Sequence, residues 1–508
     1  MLSLSTNKFL TSMEYLIPHM NSVGTKQKTL GIVVVFGSFL AWTLKLNWSS
    51  VPGPIIWPFI GSFKMIHYAV QKKLHDYFYY LSATYGPITR SCSLFGSTKT
   101  PTYYIADAAE AKRILTDTDF IRFTSDDSLF KELLKNALFI FSTDDTWKRH
   151  RKLLQPAFGP NHLRHASVVT VETMNELDQV LFENKINTIS INVHDTLTCV
   201  ALDVIAKVAF GESLHAVQKK HKKWEDLETI TINLLIKRTI CPKILWRLFG
   251  ISDSSSTVIN ARENVFGYLQ RLIDHRRKMI AENSCNQEGW QMDVLHRLVQ
   301  AKDNDLLTDD EIIGEILGFF FAGHETTANT VTVVLYELTQ NLDVKTQLYQ
   351  EIKDFDLNDQ SAFIEKLAKL KYLDNVIKET QRLHPIVNDL RRTSVNDINI
   401  LGYQLPADTD FLVNVRSIHY NPKYFDDPFT FNPDRFNGPI VPGSFIPFGD
   451  GPHNCIGQKM ALIEAKLIII QFLKNYEFEL QQGFKPNFIS TGTYGLKEGL
   501  LLTLKRRQ

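Results

Sequence analysis

Two long segments of the chain place apolar residues at helical spacing. Residues 456–478 repeat apolar side chains every third or fourth position, over a distance too long for one strand. Residues 307–341 begin with the capping-box pattern of Thr308 and Glu311, in which each side chain bonds the backbone N–H of the other residue. A helix continuing to Gln340 would be about 45 Å long. The pattern therefore predicts one helix that crosses a whole large domain.

A shorter predicted helix carries a pair of opposite charges among apolar residues. Glu379 and Arg382 lie three positions apart and therefore share one face of the helix. At a surface such a pair would contribute less than about 1 kcal/mol to stability. The neighbouring residues Leu373, Val376 and Ile377 instead predict that the pair is buried.

The N-terminal region departs from this amphipathic pattern. Residues 29–46 are apolar except for Lys45 and have about the minimum length of a membrane-spanning helix. A cleaved signal peptide is the alternative, but the apolar run starts late, after a polar tail at residues 1–28, and no small-residue cleavage site follows. We predict a transmembrane anchor at 29–46, a proline-rich hinge or spacer at 47–62 and one domain at 63–508.

Composition narrows the class of protein. The 508 residues carry a net charge of +1 and 44% of them are hydrophobic, which excludes a disordered chain and gives no sign of nucleic-acid binding. The five cysteines are widely spaced and form no CxxC pair. Such a sparse, odd set argues against a disulfide framework and favours a reducing compartment. At least one cysteine is therefore available for chemistry.

One cysteine lies in the unusual stretch IPFGDGPHNCIGQKM, residues 446–460. Gly449 and Gly451 permit backbone angles that other residues avoid. Cys455 directly precedes the predicted helix, where exposed N–H groups and the helix dipole stabilise a thiolate. Gly457 lets a large, flat group approach the first turn. The loop therefore predicts a sulfur ligand for a planar metal cofactor, and the alternative is a buried cysteine in a tight turn.

The long predicted helix has an unusual middle. Gly323 weakens a helix interior, and Glu325 and Thr326 are polar residues among apolar neighbours. A threonine hydroxyl can bond the carbonyl one turn earlier and loosen the helix locally. Such features destabilise a protein unless they are used. We therefore expect a functional site here, with a kinked core helix as the alternative.

The pattern F-x-x-G-x-H-x-C-x-G, from Phe448 to Gly457, resembles the cysteine-ligand loop of the cytochrome P-450 family of haem-thiolate monooxygenases. The resemblance implies that haem b is the cofactor, that Cys455 is the axial iron ligand, and that Phe448 and Gly457 lie against the haem. The family most often has an arginine two residues before the cysteine, where it contacts a haem propionate. His453 occupies that position here, and its charge depends on pH.

A second motif, AGHETT at residues 322–327, resembles the oxygen-binding helix of the same family. The resemblance implies that Thr326 and Glu325 help to deliver protons during oxygen activation, while Ala322 and Gly323 leave space for dioxygen. Some relatives carry a glutamate at the position of Ala322 that forms an ester with haem. Because this chain has alanine there, no covalent haem link is expected.

Further motifs follow in the family's order along the chain. Trp147 and Arg151, in WKRHRKLLQPAF, are implied to contact the haem propionates. Arg392 matches another propionate-binding arginine, with Arg391 as the alternative one residue earlier.

The pair Glu379 and Arg382 matches the E-x-x-R helix of the family, and Arg435 in FNPDRF matches its third member. The implied role of these three residues is structural. A carboxylate held between two guanidinium groups would stabilise the fold near the cysteine loop.

The resemblance covers nearly the whole chain and implies a mainly α-helical haem domain with a smaller β portion. The implied reaction is monooxygenation, in which one oxygen atom enters a lipophilic substrate and the other leaves as water. Fatty acids, sterols, terpenoids and xenobiotics all fit the apolar character of the expected pocket. The alternatives are a haem-thiolate isomerase or dehydratase and a non-enzymatic haem-binding protein, neither of which needs Glu325 and Thr326.

The chain has no GxGxxG motif and no residues left for a flavin module, so its electrons must come from a separate protein. The resemblance implies NADPH–cytochrome P-450 reductase, with cytochrome b5 as an additional candidate, and a single-pass protein of the endoplasmic reticulum membrane with its catalytic domain on the cytosolic face. Lys148, Arg149 and Lys152 form a basic face that either docks the reductase or is simply solvated. Residues 240–250 alternate apolar and basic side chains and predict a second membrane contact.

Overall fold

The computed structural model describes residues 36–41, 43–44, 47–57, 61–91, 101–122, 137–140, 142–183, 187–218, 256–282, 293–303, 307–359, 363–490 and 492–507. Within these ranges the helices are α1 Phe63–Val70, α2 Leu74–Tyr85, α3 Ala108–Thr116, α4 Asp145–Leu154, α5 Pro160–Phe182, α6 Val193–Phe210, α7 Ser256–Ala281, α8 Val294–Asp303, α9 Asp309–Gln340, α10 Leu342–Ile352, α11 Phe363–Leu367, α12 Lys371–Leu383, α13 Val415–His419 and α14 Gln458–Asn475. The strands are β1 Ile88–Ser91, β2 Thr102–Ile105, β3 Phe120–Ile121, β4 Thr188–Asn192, β5 Asp389–Ser394, β6 Ile398–Ile400, β7 Tyr403–Leu405, β8 Asp410–Asn414, β9 Tyr476–Leu480, β10 Phe488–Ser490, β11 Tyr494–Leu496 and β12 Leu501–Arg506.

Helices form most of the described fold, and strands form a smaller part. The largest sheet has the strand order β1-β2-β8-β5-β3, in which β2 and β8 run parallel and the other neighbours run antiparallel. Three smaller sheets have the orders β4-β12-β9, β6-β7 and β10-β11. The prediction of a mainly α-helical fold with a smaller β portion is confirmed.

The helix α9 is 32 residues long, about 48 Å, and packs against α6 and α14 in the largest apolar core. Its N-terminus has the predicted capping box. Thr308 Oγ1 accepts from the Glu311 N–H at 3.2 Å, and Glu311 Oε2 accepts from the Thr308 N–H at 2.7 Å. The predicted bond from Thr326 to the carbonyl one turn earlier is present, since its hydroxyl donates to the Ala322 carbonyl at 2.7 Å, and the helix runs on through this position without a break.

The glycine in the middle of α9 permits close packing against α6. A Cβ atom built on Gly323 would lie 2.9 Å from Ile205 Cγ1 and 3.0 Å from Ile205 Cδ1. Packed interiors leave no space for an extra methyl group, so an alanine here would require the Ile205 side chain or its helix to move. This contact accounts for the glycine independently of any ligand.

The predicted anchor lies only partly within the described residues. Residues 36–41 and 43–44 are helical, and Phe36, Leu40 and Leu44 are exposed. In the part of the chain that the structure describes, no helix is both long and apolar enough to cross a membrane. The anchor therefore stays a prediction.

The described part of the proline-rich segment, residues 47–57, packs on the domain. Val51 and Ile56 are buried. Arg90 Nε donates to the Val51 carbonyl at 3.0 Å, and Arg90 Nη1 donates to Asn47 Oδ1 at 3.0 Å. These contacts hold the segment against β1 and favour a fixed hinge over a loose spacer.

A buried ion-pair network joins α12 to the chain that leads to the cysteine loop. Arg382 Nε and Nη2 donate to the two Glu379 carboxylate oxygens at 2.7 and 2.8 Å. Arg435 Nε donates to Glu379 Oε1 at 3.0 Å. Arg382 Nη1 also donates to the carbonyls of Pro428 and His419, at 2.6 and 3.0 Å. Because both partners of the Glu379–Arg382 pair are 0% exposed, the network fastens this part of the chain to α12 from the inside.

We predict that Arg382→Ala lowers the free energy of unfolding by about 3–5 kcal/mol, because it leaves the Glu379 carboxylate buried without its main partner. Chemical unfolding of the purified full-length chain in detergent measures the change. The matched control is Lys148→Ala, which breaks an exposed ion pair of the same spacing with Asp145 and should cost less than about 1 kcal/mol. Equal losses in the two variants would contradict the stabilising role of the network.

Candidate active site

A cavity of about 340 Å³ lies between α9 and the loop that precedes α14. Its walls come from α9, α14, the start of β5, and residues 447–449 and 453–457. Most of the lining side chains are apolar. A volume in this range, with a few polar groups on apolar walls, is typical of small-molecule and cofactor sites.

The loop around Cys455 is shaped by two glycines and by its own hydrogen bonds. Gly449 and Gly451 have φ angles of +73° and +70°. A Cβ atom on Gly451 would lie 2.3 Å from the Leu115 carbonyl oxygen. The Cys455 N–H donates to the Phe448 carbonyl at 2.9 Å and closes the loop. Helix α14 begins at Gln458, so the cysteine lies just before a helix N-terminus, as predicted.

The Cys455 thiol opens into the cavity, although protein surrounds it on its other sides. Burial raises the pKa of this thiol, while the N–H groups of Gly457 and Gln458 and the Arg151 guanidinium act against the rise. A thiol with a raised pKa is a poor nucleophile. A metal ion bound to the sulfur would displace its proton. The position therefore favours a metal ligand over a nucleophile.

Basic side chains converge at one end of the cavity. Burial, followed by the charges of Arg122, Arg392 and Arg151, lowers the pKa of His453 to about 3. Burial and the other two arginines lower the pKa of Arg122 to about 9, and burial lowers the pKa of Arg392 to about 10. Like charges held together inside a protein require anionic partners. Carboxylates bound at this end of the cavity would supply them.

The structure separates the two neighbouring arginines that the sequence left as alternatives. Arg391 Nη2 donates to Asp410 Oδ2 at 2.7 Å and forms an ion pair with it. Arg392 is buried and donates from Nη1 to the Arg391 carbonyl at 2.8 Å. Its charge acts on His453 and on Arg122, so Arg392 is the arginine that belongs to the basic end of the cavity.

Three predicted residues lie together beside the cysteine. The Trp147 ring packs on His453 with their centroids 3.9 Å apart. His453 Nε2 lies 2.8 Å from Thr143 Oγ1, and its Nδ1 is buried without a hydrogen-bond partner among the described residues. Arg151 donates from Nη1 and Nη2 to the carbonyl and to Oδ1 of Asn454, at 2.9 and 2.8 Å. The unpaired nitrogen marks a place where a bound group can supply a hydrogen bond.

On the α9 wall, Thr326 and Ala322 line the cavity, whereas Glu325 contacts a different part of the fold. Glu325 Oε1 accepts from the Thr493 hydroxyl at 2.6 Å. Asn329 Nδ2 donates to the same hydroxyl at 3.2 Å. The structure thus brings the threonine into the cavity and holds the adjacent acid against the turn between β10 and β11.

These groups fit haem b. The apolar walls suit a flat macrocycle, the Cys455 sulfur suits an axial ligand, and the basic end suits two carboxylates at one edge. The unpaired Nδ1 of His453 lies at the same end. A Cβ atom on Gly457 would meet only Phe158, at 3.7 Å, so there is open space beside the start of α14.

Comparison with known proteins assigns these features to a family, because the model of the family described as Cytochrome P450 matches residues 51–505. The chain belongs to the cytochrome P450 family. Cytochrome P450 4d2 of Drosophila melanogaster is 27% identical to it over 94% of this chain and 98% of its own length. Cytochrome P450 3A16 of Mus musculus is 25% identical over 84% and 85% of the two chains. Lithocholate 6-beta-hydroxylase of Mesocricetus auratus is 27% identical over 89% of each chain.

Membership of the P450 family gives the cofactor and the general reaction. P450 proteins bind haem b through a cysteine thiolate and incorporate oxygen from dioxygen as monooxygenases. The match includes the cysteine loop, α9 and the buried ion-pair network within one continuous range. The chain is therefore a haem-thiolate oxidoreductase.

Two residues of this P450 cavity were missed at the level of sequence. Arg122 lies directly after β3, where no motif surrounds it, and its N–H donates to Thr143 Oγ1 at 2.7 Å. Glu315 lines the cavity about three turns before Thr326 on α9. A charged residue within an apolar helical stretch was the signal available for Glu315, whereas Arg122 offered none.

We predict that Arg392→Gln speeds haem release from this P450 by about tenfold or more, because a charge-assisted hydrogen bond contributes about 1.5–3 kcal/mol. Transfer of haem to an excess of apomyoglobin measures the rate. Arg391→Gln is the matched control, because it removes the adjacent arginine, whose partner is Asp410. This variant should release haem at the wild-type rate. Faster release from Arg391→Gln than from Arg392→Gln would reverse the assignment of the two arginines.

Proposed function

We propose that this P450 is a membrane-anchored monooxygenase that inserts one atom of dioxygen into a lipophilic substrate and releases the other as water. Its electrons come from NADPH through a separate reductase. The observation that carries the proposal is that the Cys455 thiol and the Thr326 hydroxyl line the same apolar cavity. When bound, haem supplies the iron that activates dioxygen, and the chain supplies the ligand, the proton donors and a dry pocket.

The proposed cofactor site combines one sulfur ligand with a wall and a basic end. Cys455 would hold the haem iron through its sulfur, supported by its place beside the first N–H groups of α14. The residues that would contact the macrocycle or its propionates share the cavity wall or its basic end: Arg122, Trp147, Arg151, Ala322, Arg392, Phe448, His453 and Gly457. Glu379, Arg382 and Arg435 keep a structural role outside this site.

Thr326 and Glu325 are the proposed proton-delivery residues. The Thr326 hydroxyl lies in the cavity and donates to the Ala322 carbonyl at 2.7 Å, which leaves its oxygen lone pairs to accept a hydrogen bond from water or substrate. Glu325 is held by the Thr493 hydroxyl at 2.6 Å. Glu325 must therefore exchange this bond for water, or for another side chain, before it can pass a proton toward the cavity.

The lining of the cavity supports a lipophilic substrate. Phe139, Ile205, Ile386 and Val387 line it together with other apolar side chains. One relative is named lithocholate 6-beta-hydroxylase, and that name describes hydroxylation of lithocholate by that protein. Sterols, terpenoids, fatty acids and apolar xenobiotics are the substrate classes that such walls can desolvate.

A basic surface on α4 supports docking of the electron donor. Lys148, Arg149 and Lys152 are exposed on this helix, which also carries Trp147 and Arg151 on its inner side. An acidic flavin-bearing domain would be attracted to this surface, and the attraction would weaken with salt. NADPH–cytochrome P-450 reductase is the proposed donor, and cytochrome b5 is an additional one.

Exposed apolar side chains at the start of the described chain support attachment to a membrane. Phe36, Leu40 and Leu44 are exposed ahead of the packed hinge, and Trp48 is exposed near its start. We assign the protein to the endoplasmic reticulum membrane as a single-pass protein, with its catalytic domain on the cytosolic side. The second proposed membrane contact, at residues 240–250, lies outside the described residues.

Turnover with isotopic oxygen tests the proposed function. The full-length protein is reconstituted with NADPH–cytochrome P-450 reductase in phospholipid vesicles, and a library of fatty acids, sterols and terpenoids is incubated under labelled dioxygen. We expect labelled product only when both the reductase and NADPH are present. Unlabelled product formed without the reductase would indicate an isomerase or dehydratase. Bound haem with neither product nor oxygen uptake, even when the reductase and NADPH are present, would indicate a haem-binding protein.

We predict that Thr326→Ala keeps its haem but couples electron use to product poorly, with product per NADPH falling roughly tenfold or more, because the hydroxyl that positions the proton-delivering water is lost. Product and released hydrogen peroxide are measured together. Thr330→Ala is the matched control, since Thr330 also donates to a carbonyl one turn earlier on α9, at 2.7 Å, and also borders the cavity. Normal coupling in Thr326→Ala would reject its role in proton delivery.

A further inference from the structure

A series of titratable side chains connects one end of the cavity with the protein surface, and the proposed reaction does not use it. Glu315 lines the cavity, and its Oε1 lies 2.6 Å from His150 Nδ1. His150 Nε2 lies 3.2 Å from Glu311 Oε1, and Arg149 Nη2 donates to the same oxygen at 2.5 Å. Glu315 is 1% exposed, whereas the Arg149 side chain is 43% exposed. The four residues therefore lead from the interior to solvent.

The central residue of this series has the geometry of a proton carrier. His150 is fully buried between α4 and α9, and each of its ring nitrogens faces a carboxylate oxygen. An imidazole in this setting can accept a proton on one nitrogen while it releases the proton on the other. If His150 only linked α4 to α9, a contact with one of the two carboxylates would be enough.

The two carboxyl groups of the series hold a proton with different strength. Burial raises the pKa of Glu315, against the opposing hydrogen bond from His150. Burial acts in the same direction on Glu311, but the Thr308 N–H and hydroxyl, at 2.7 and 2.9 Å, hold the pKa of Glu311 below its usual range. Of the two carboxyl groups, Glu315, which borders the cavity, therefore holds a proton more strongly than Glu311 does.

The surroundings of Glu315 leave it as the group that can respond to charge in the cavity. Arg122 interacts electrostatically with Glu315 and already carries its charge near neutral pH, since its pKa is about 9. The Leu138 N–H donates to the Glu315 carboxyl. The elements packed around the series carry further charged groups, which are Asp144, Asp145, Lys148, Arg149, Arg151 and Lys152 at α4, Arg277 on α7, Arg297 on α8, and Asp309 and Asp310 on α9. A negative charge that enters the cavity strengthens proton binding at Glu315.

We propose that Glu315 is a proton reservoir for the cavity, filled from the surface through Glu311 and His150. A proton from solvent binds the Glu311 carboxylate and moves to His150 Nε2, and the proton on His150 Nδ1 moves to Glu315. One proton enters for each proton stored, no electron moves, and release reverses the same transfers. The inference rests on the proposed function, in which each electron from the reductase brings negative charge into the cavity.

Redox titration of the full-length, haem-loaded protein between about pH 5 and 8 tests the reservoir without substrate or reductase. The wild-type potential should fall as pH rises, because the reduced state binds an additional proton, and Glu315→Gln should flatten this dependence. Glu337→Gln is the matched control and should keep the wild-type slope, since Glu337 also pairs with a histidine, His384 Nε2 at 2.7 Å, but does not line the cavity. A wild-type slope in Glu315→Gln overturns the reservoir. Lower unfolding midpoints with an unchanged slope would show that the series is only a contact between α4 and α9.

Rapid reduction in the presence of a pH-indicator dye tests the path separately. Glu311→Gln and His150→Gln should slow proton uptake by roughly tenfold or more, while Glu337→Gln takes up protons at the wild-type rate. Unchanged rates in both path variants contradict the path, and they remain informative if Glu315→Gln fails to retain haem. Because neither measurement involves oxygen insertion, a lost slope with normal turnover, or the reverse, separates this inference from the proposed function.

Discussion

The placement of one sulfur atom constrains much of the surrounding structure. The Cys455 thiol must face the cavity and still lie within reach of the first N–H groups of α14. The chain meets both requirements with a loop that adopts left-handed backbone angles at Gly449 and Gly451 and closes on the Phe448 carbonyl. The Glu379 network then holds the preceding chain to α12, so that the loop starts from a fixed position. Burial alone would keep this sulfur protonated, which is why a bound metal completes the arrangement.

Charge supplies the second constraint, at the basic end of the same cavity. The histidine that replaces the family's usual arginine remains neutral, because burial and three surrounding arginines oppose its protonation. His453 therefore offers hydrogen bonds and a stacked contact with Trp147 instead of a positive charge. Arg122, which comes from a different part of the chain, adds a positive charge at this end. The group of arginines together creates the requirement for anions at this end of the cavity, and that requirement does not depend on a charge at position 453.

Local patterns were readable from the sequence, and contacts between distant parts of the chain were not. The capping box at Thr308 and the position of Cys455 before α14 followed from spacing within a few residues. Glu325 shows the limit of such reasoning: it adjoins Thr326 in sequence, but consecutive helical residues point about 100° apart, and the acid lies against Thr493. The pairing of His150 with Glu315 joins two helices that are far apart in the chain, and no local motif signals it. The same holds for Gly323, whose reason is Ile205 on α6.

The absorption spectrum of the reduced, carbon monoxide-bound protein in membranes tests the central claim most directly. It reports the ligand on the side of the iron opposite carbon monoxide, and so it reads the state of the Cys455 sulfur without substrate or reductase. The account predicts a Soret band at the red-shifted position of thiolate-ligated haem, lost in Cys455→Ala. A band at the position of haem proteins with neutral ligands, in the intact chain, would contradict it. That result would mean that the sulfur is protonated or absent from the iron.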